Sequence, residues 1–259
     1  MRQIKINLAP IIFNKLILAV ILTGGFLMPL SASAELSISG YGGKSFIDNS
    51  DLNLKQGQTN LNFKDVSWED NSFKSPVFYG ARVGYWLKDT PNIGFSVDFS
   101  HLKNYLIDSK SVAVSGVQNN VPLNGNQVIN TTALKEFNMS HGLNTLTFNG
   151  QYRWFPTGQR DGTLLGRLQP YTGLGAGFSI PHVEATVYNL KTYEYQFGAG
   201  PVVNVMFGLN YDIYSFISGF AEYKLTYASV EDNLKGGGVI STETVNHQLI
   251  FGLSSHFDI

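Results

Sequence analysis

The sequence contains no cysteine among its 259 residues, which excludes disulfide bonds, cysteine-ligated metal sites and thiol nucleophiles. Charged residues are also scarce, at 14% of the chain, and 18 Lys+Arg against 19 Asp+Glu give no basic excess for binding nucleic acid. The chain has no Gly-x-Ser-x-Gly elbow, no His-Glu-x-x-His, no phosphate-binding loop and no dinucleotide fingerprint. We therefore expect no nucleic-acid partner, and no motif assigns an enzyme class.

Long apolar runs are missing after the N-terminal region. There, three basic residues precede an apolar run at Leu16–Leu30, and small residues follow it. This is the pattern of a secretory signal peptide, and the run is shorter than the roughly 20 residues of a transmembrane helix. We expect cleavage between Ala34 and Glu35, which gives a cleaved signal peptide at 1–34 and a mature domain at 35–259; a retained N-terminal anchor is the alternative. No later segment is apolar enough for a helical membrane protein.

The rest of the chain is rich in glycine and aromatic residues, and its apolar residues recur at every second position. Between Pro76 and Lys88, for example, apolar side chains occupy the odd positions, and Arg82 lies on the opposite face. Such alternation predicts strands with one face toward lipid and the other toward a polar lumen. Eight segments show it: Leu36–Ile47, Pro76–Lys88, Ile93–Ile107, His141–Phe155, Gln169–Val183, Tyr193–Leu209, Phe216–Val230 and Thr244–Asp258. The sequence predicts an all-β fold, an eight-stranded antiparallel transmembrane up-and-down β-barrel with a filled polar lumen.

Six ionisable residues lie well within these segments, and all six fall on the face opposite the apolar one. An Arg or Lys facing lipid at mid-depth would cost about 2–4 kcal/mol, so this segregation has a physical cause. An eight-stranded barrel is just wide enough for side chains to fill it, which argues against a diffusion channel. A water-soluble barrel with an apolar lumen is the alternative, but it would need the opposite arrangement. The predicted lumen network, three positive and three negative residues that pair inside, is Arg82, Asp98, Arg153, Glu194, Glu222 and Lys224.

The connector lengths predict the orientation in the cell outer membrane. The long connectors Asp48–Ser75 and Asp108–Ser140 follow odd-numbered strands, and long loops belong on the cell surface. Both termini are then expected in the periplasm. Phe257 closes the last strand as in the terminal signal that the barrel assembly machinery recognises, although Asp258 and Ile259 follow it. We expect a monomer.

The residues that could bind a metal or act in catalysis lie at the predicted outer rim of the barrel. His101 and Lys103 end the third predicted strand, and the neighbouring strands add the other members of the group, which are Glu136, His141, His182, Glu184 and Glu194. Two or three histidines with a carboxylate could hold a divalent metal or act as acid and base. The alternative is that they only decorate the membrane interface, where Lys and His bind lipid phosphates. A divalent metal at the extracellular rim is therefore possible, and its identity is open.

Several strings in these strands resemble the lipid A oxidase-like outer-membrane proteins in the same order. They are FSVDFSHLKNY (Phe95 to Tyr105), HGLNTLTFNGQYRW (His141 to Trp154), PYTGLGAGFSIPHVE (Pro170 to Glu184), YEYQFGAGP (Tyr193 to Pro201) and AEYKLTY (Ala221 to Tyr227). The resemblance covers most of 67–257 but not the first strand or the second long connector. It implies oxidation of the proximal glucosamine of lipid A by molecular oxygen to an aminogluconate unit, with release of peroxide. The matched polar residues are Asp98, His101, His141, Asn144, His182, Glu184 and Glu194, and we expect His101, His182 and Glu184 to be catalytic.

Two functions remain open at this point. One is an enzyme that modifies lipid A, with outer-membrane lipid and lipopolysaccharide as its partners. The other is a non-enzymatic surface barrel whose long loops bind a host factor, another membrane protein or lipopolysaccharide. The residues themselves leave it uncertain whether the chain is an enzyme.

Overall fold

The computed structural model describes residues 34–158 and 162–259, so the predicted signal peptide lies outside the described part except for Ala34. These residues form fifteen strands and one short 3₁₀ helix at Ile129–Thr131. The strands are β1 (Glu35–Ile47), β2 (Ser50–Gln56), β3 (Thr59–Val66), β4 (Trp68–Glu69), β5 (Tyr79–Trp86), β6 (Ile93–Leu106), β7 (Ser111–Gln118), β8 (Val121–Pro122), β9 (Gly125–Val128), β10 (Leu134–Arg153), β11 (Leu168–Val187), β12 (Leu190–Tyr195), β13 (Pro201–Tyr214), β14 (Ile217–Asn233) and β15 (Val239–Asp258). Among these residues no helix is long and apolar enough to cross a membrane.

Eight of the strands close into a ring. Each of β1, β5, β6, β10, β11, β13, β14 and β15 pairs antiparallel with the next, and β15 pairs back onto β1. The closing pair aligns Glu35 with Asp258 and Ile47 with Asn246. The predicted eight-stranded antiparallel barrel is therefore confirmed. We call the side that carries Glu35 and Asp258 the terminal end, and the opposite side, which carries β2–β4, β7–β9 and β12, the loop end.

The outer face of the ring is apolar around its circumference. Leu174 is 65% exposed and Phe251 is 67% exposed, and bulky apolar residues on the other strands are also exposed. Water would make such a continuous apolar surface unfavourable, whereas hydrocarbon accommodates it. The water-soluble alternative is thus wrong, and the exterior is that of a membrane-spanning barrel.

The lumen contains a buried ionic network, as the sequence predicts. The Arg82 guanidinium donates two hydrogen bonds of 2.8 Å to the Glu222 carboxylate and one of 2.8 Å, from Nε, to Asp98. Lys224 Nζ lies 3.3 Å from the same Asp98 oxygen. Tyr171 donates a 2.7 Å hydrogen bond to Glu222, which satisfies that carboxylate further. Two cations and two anions are therefore neutralised within the barrel.

A second buried pair closes the terminal end. Arg153 donates to Glu35 at 3.0 Å and to Gln169 at 3.2 Å. The predicted partner set is wrong in one member, because Glu194 is exposed on β12 and lies outside the ring. The prediction joined β12 and β13 into one strand, but the chain leaves the strand conformation at 196–200. Between these two clusters the lumen holds a cavity of only about 40 Å³, which is consistent with a filled barrel.

The two long connectors, which were predicted as surface loops from their length, contain strands. Residues 48–75 contain β2–β4, and residues 108–140 contain β7–β9. β2 extends the sheet from the loop end of β15, and β3 and β7 follow it in order. Their apolar side chains Leu52, Leu54, Leu61 and Phe63 are fully buried, in one cluster with Phe137 of β10 and Val183 of β11. The fold therefore combines a polar lumen with a buried apolar cluster that includes residues of the loop end.

Asp232 is a buried carboxyl at the loop end of β14, beyond the membrane-spanning part of that strand. Burial raises its pKa to about 6, a backbone N–H at Asn233 lowers it in part, and Glu194 raises it again. A folded-state pKa above the unfolded value means that the protonated form stabilises the fold below about pH 4, and that this contribution is lost as the pH rises through 6. We expect Asp232→Asn to match wild type at pH 4 and to be more stable at pH 8.

This pH effect can be measured as the free energy of unfolding in detergent from pH 4 to 8. The matched control is Glu231→Gln, which neutralises the exposed preceding carboxylate. A wild-type to Asp232→Asn difference that stays constant across this range would contradict the prediction.

Candidate functional site

The candidate site lies on the outward face of the barrel at the loop end. Along β11, Leu174, Phe178 and Ile180 face outward, and His182 and Glu184 continue the same every-second-residue series. By their outward apolar side chains, the membrane-spanning segments end at Phe99 in β6, at Leu146 in β10 and at Ile180 in β11. His182 and Glu184 therefore lie just above the lipid-facing band.

A β-bulge in the neighbouring strand brings a second histidine to this face. The pairing of β10 with β11 is regular from Leu143 toward the terminal end, but shifts register between Asn138 and Leu143. The same shift appears against β6, between Met139 and Leu143. His141 lies within this bulge, beside Gly142, whose φ of +112° suits glycine. The bulge turns His141 outward. Uninterrupted alternation from the outward-facing Leu146 would instead turn it inward.

His141, His182 and Glu184 form a compact group. One ligand-type atom of each lies within 4.8 Å of those of the other two. His141 Nδ1 is 3.1 Å from Glu184 Oε1, and His182 Nδ1 is 4.0 Å from the same oxygen. The Ser140 hydroxyl also donates a hydrogen bond to that oxygen. The side chain of His141 is 48% exposed, whereas those of His182 and Glu184 are 6% and 13% exposed. One member of the group is therefore accessible to solvent and two are mostly buried.

His101 lies beside this group and does not complete it. Its Nδ1 is 2.8 Å from the Asn144 amide oxygen, and Tyr79 stacks on its ring at 4.7 Å between centroids. Asn144 in turn donates to the Ile180 carbonyl, which ties β6 to β11 through β10. The expected set of His101, His182 and Glu184 is therefore only partly brought together, because the bulge places His141 between the two other histidines. Sequence reasoning included His141 among the rim residues, but not among the first three.

Aromatic side chains of β12 pack against the ring of His182. Its ring lies 4.5 Å from that of Tyr193 and 4.4 Å from that of Tyr195, both at steep interplanar angles. The Tyr193 hydroxyl is also 3.5 Å from His141 Nδ1. The rings of Phe178 and Phe197 also pack together, with 5.1 Å between their centroids. These tyrosines were not among the predicted site residues, although their alternation with Glu194 is typical of a strand.

Both sheltered histidines favour the neutral form. Burial and the neighbouring His141 lower the pKa of His182, and Glu184 raises it in part. Burial likewise lowers the pKa of His101, which the hydrogen bond to the Asn144 side chain offsets in part. Neutral imidazoles at neutral pH can accept a proton or bind a metal ion. His182 Nδ1 is buried and has no hydrogen-bond partner within 34–158 and 162–259.

The other predicted rim residues lie outside the group. Lys103 donates to the carbonyl oxygens of Lys74 and Ser75, so its ammonium holds the connector between β4 and β5. Glu136 accepts from Asn138 at 3.0 Å and faces a separate polar groove of about 410 Å³. This groove borders the site, since its Asn138 is the register partner of Glu184. Its lining residues are Glu69, Tyr105, Leu106, Asp108, Lys135, Glu136, Asn138 and Thr186.

The arrangement suits a ligand with an apolar and a polar part. The lipid-facing band lies below the group, the polar groove continues above it, and neutral imidazoles with a carboxylate lie between. The two histidines and the carboxylate supply imidazole nitrogens and an oxygen, which are suitable ligands for a first-row transition metal. The same groups can also transfer protons.

Comparison with known proteins gives similarity of structure only. The chain matches no family model. No curated protein sequence matches it either. Among solved structures, it is similar to the outer membrane protein OprG from Pseudomonas aeruginosa, with 10% identity, a TM-score of 0.42 and coverage of 88% of this chain and 98% of that one. Neisserial surface protein A (NspA) has 9% identity, a TM-score of 0.38 and coverage of 86% and 97%. The N-terminal β-barrel domain of Pseudomonas aeruginosa OprF has 12% identity, a TM-score of 0.38 and coverage of 88% and 100%.

Proposed function

We propose that this chain spans the outer membrane with both termini in the periplasm and oxidises the proximal glucosamine of lipid A with molecular oxygen. The observation that carries the proposal is the position of His141, His182 and Glu184 on the lipid-facing side of the barrel, just above its apolar band. A lipid anchored in the outer leaflet presents its sugar head group at that height. The substrate can therefore reach the site by lateral diffusion, with its acyl chains still in the membrane.

The chemistry fixes what the substrate must offer. Carbon 1 of the glucosamine has to be a free hemiacetal, since oxidation removes its hydrogen and the proton of its hydroxyl. The two electrons and two protons pass to O₂ and give hydrogen peroxide, and the lactone that remains takes up water to form the aminogluconate. Glu184 and neutral His182 are placed to accept the hydroxyl proton. The polar groove supplies carboxylates and an amide that can accept hydrogen bonds from sugar hydroxyls.

The test is a mass spectrum of lipid A from cells whose lipid A lacks the 1-phosphate, with and without expression of the chain. We expect a species heavier by one oxygen atom, and its loss in His182→Ala. His247→Ala is the matched control, because His247 is an exposed histidine paired with Asp48 outside the site. An unchanged lipid A profile, with the wild-type barrel shown to be folded, would reject the proposal.

A non-enzymatic surface barrel is the second candidate. The folded layer of β2, β3 and β7 at the loop end supports it, because a rigid surface costs little entropy when it binds a partner. In that case lipid A stays unmodified, while substitutions on the exposed face of this layer abolish binding to the partner.

A further inference from the structure

We propose that His141, His182 and Glu184 bind one divalent first-row transition metal ion. Metal binding does not depend on the proposed function, but the assignment of a redox-active metal such as iron(II) rests on it. Two histidines with one carboxylate form the ligand set of many non-haem iron(II) sites that use O₂.

The spacing of the three side chains fits a metal ion. Bonds of about 2.0–2.2 Å to nitrogen and oxygen place neighbouring ligand atoms about 3 to 3.5 Å apart. His141 Nδ1 and Glu184 Oε1 already lie 3.1 Å apart. His182 Nδ1 lies 4.0 Å from the same oxygen, so this side chain has to move closer to Glu184 to bind the same ion.

An independent observation comes from His182 itself. This residue is 5% exposed, and its Nδ1 lacks a hydrogen-bond partner among the described residues. A buried polar atom without a partner is unfavourable, and this nitrogen lies 4.0 Å from Glu184 Oε1. A bound cation would satisfy it.

Surrounding groups hold the ligands and leave coordination positions open. Ser140 donates to Glu184 and lies 3.0 Å from His141 Nδ1, so it can orient both ligands. The 48% exposure of His141 leaves the group accessible from the lipid head-group side. Three protein ligands with an open side are typical of a catalytic metal site rather than a structural one.

The experiment uses the purified, folded chain in detergent, titrated with Co²⁺ and followed by visible absorption and calorimetry. We expect one Co²⁺ per chain, weak competition by Mg²⁺, and an affinity at least about a hundredfold lower in His182→Ala and in Glu184→Gln. His247→Ala should bind Co²⁺ like wild type. His247 also pairs with a carboxylate, that of Asp48 at 3.2 Å, but this pair lies outside the site.

The outcomes separate this inference from the proposed function. Co²⁺ binding that is absent, or equal in wild type and the folded Glu184→Gln variant, overturns the metal site. Binding at this site together with an unchanged lipid A spectrum supports the metal site and rejects the oxidase. Lipid A oxidation that persists after chelation, in protein free of metal, overturns the assignment of a redox-active metal to the reaction and leaves the oxidase standing.

Discussion

Arg82→Met is expected to destabilise the barrel by about 3–5 kcal/mol. The guanidinium is the shared partner of Glu222 and Asp98, and all three side chains are buried in the lumen. Without it, Asp98 keeps Lys224 as a counter-ion at 3.3 Å. Glu222 keeps the hydroxyl of Tyr171 but loses both of its hydrogen bonds from arginine. A carboxylate left without its counter-ion away from bulk water carries the main cost.

The free energy of unfolding by urea in detergent micelles or lipid vesicles measures this effect. Lys44→Met is the matched control, because it removes the cation of the half-exposed Lys44–Asp70 pair and should cost no more than about 1 kcal/mol. The double variant Arg82→Met/Glu222→Gln removes the lone carboxylate and should recover part of the loss. Equal losses in Arg82→Met and Lys44→Met would show that the lumen network contributes little.

Gly142→Ala is expected to disrupt the candidate site while the barrel remains closed. Gly142 has a φ of +112°, where a residue with a side chain is strained by about 1–3 kcal/mol. A Cβ at this position would also overlap the His101 ring and approach the Asn144 amide oxygen to 2.6 Å. His101 would have to give up its hydrogen bond to Asn144, and the bulge that directs His141 outward would relax.

The measurement combines lipid A mass spectrometry with Co²⁺ affinity. Both should fall at least tenfold in Gly142→Ala, while the folded barrel still forms. Gly150→Ala is the control, because Gly150 lies on the same strand, where an added Cβ would meet no atom within 4 Å, and this variant should behave like wild type. If Gly142→Ala kept wild-type activity and affinity, the bulge would not be what positions the site.

The hairpin of β2 and β3 at the loop end was not predicted from the sequence, although its pattern is present there. Leu52 and Leu54 alternate with polar residues, as do Leu61 and Phe63, with Gly57 between them at a positive φ. This is the pattern of a hairpin, but the length of the connector was interpreted as a surface loop. The pairing of β2 with β15 and of β3 with β7 gives the hairpin its partners, and its apolar side chains are buried in the fold.

The face of each barrel strand, by contrast, could be predicted without coordinates. Arg82, Asp98, Arg153, Glu222 and Lys224 point into the lumen as expected, since side chains alternate at a period of two and lipid does not solvate charge. Glu194 broke the rule because it does not belong to a ring strand. Alternation of apolar and polar residues therefore predicts which side chains face the lumen only for strands that belong to the ring.

The amino-acid sequence by itself determined the eight strands of the ring, the polar lumen and the apolar exterior, because each depends on residues one or two positions apart. Tertiary structure alone decided which groups meet: Arg82 reaches Glu222 across 140 positions, and Arg153 reaches Glu35 near the start of the first strand. It also decided that His141, rather than His101, joins His182 and Glu184. The physical reason is that a bulge and the register between distant strands set these distances, and neither is encoded in the alternation of a single strand.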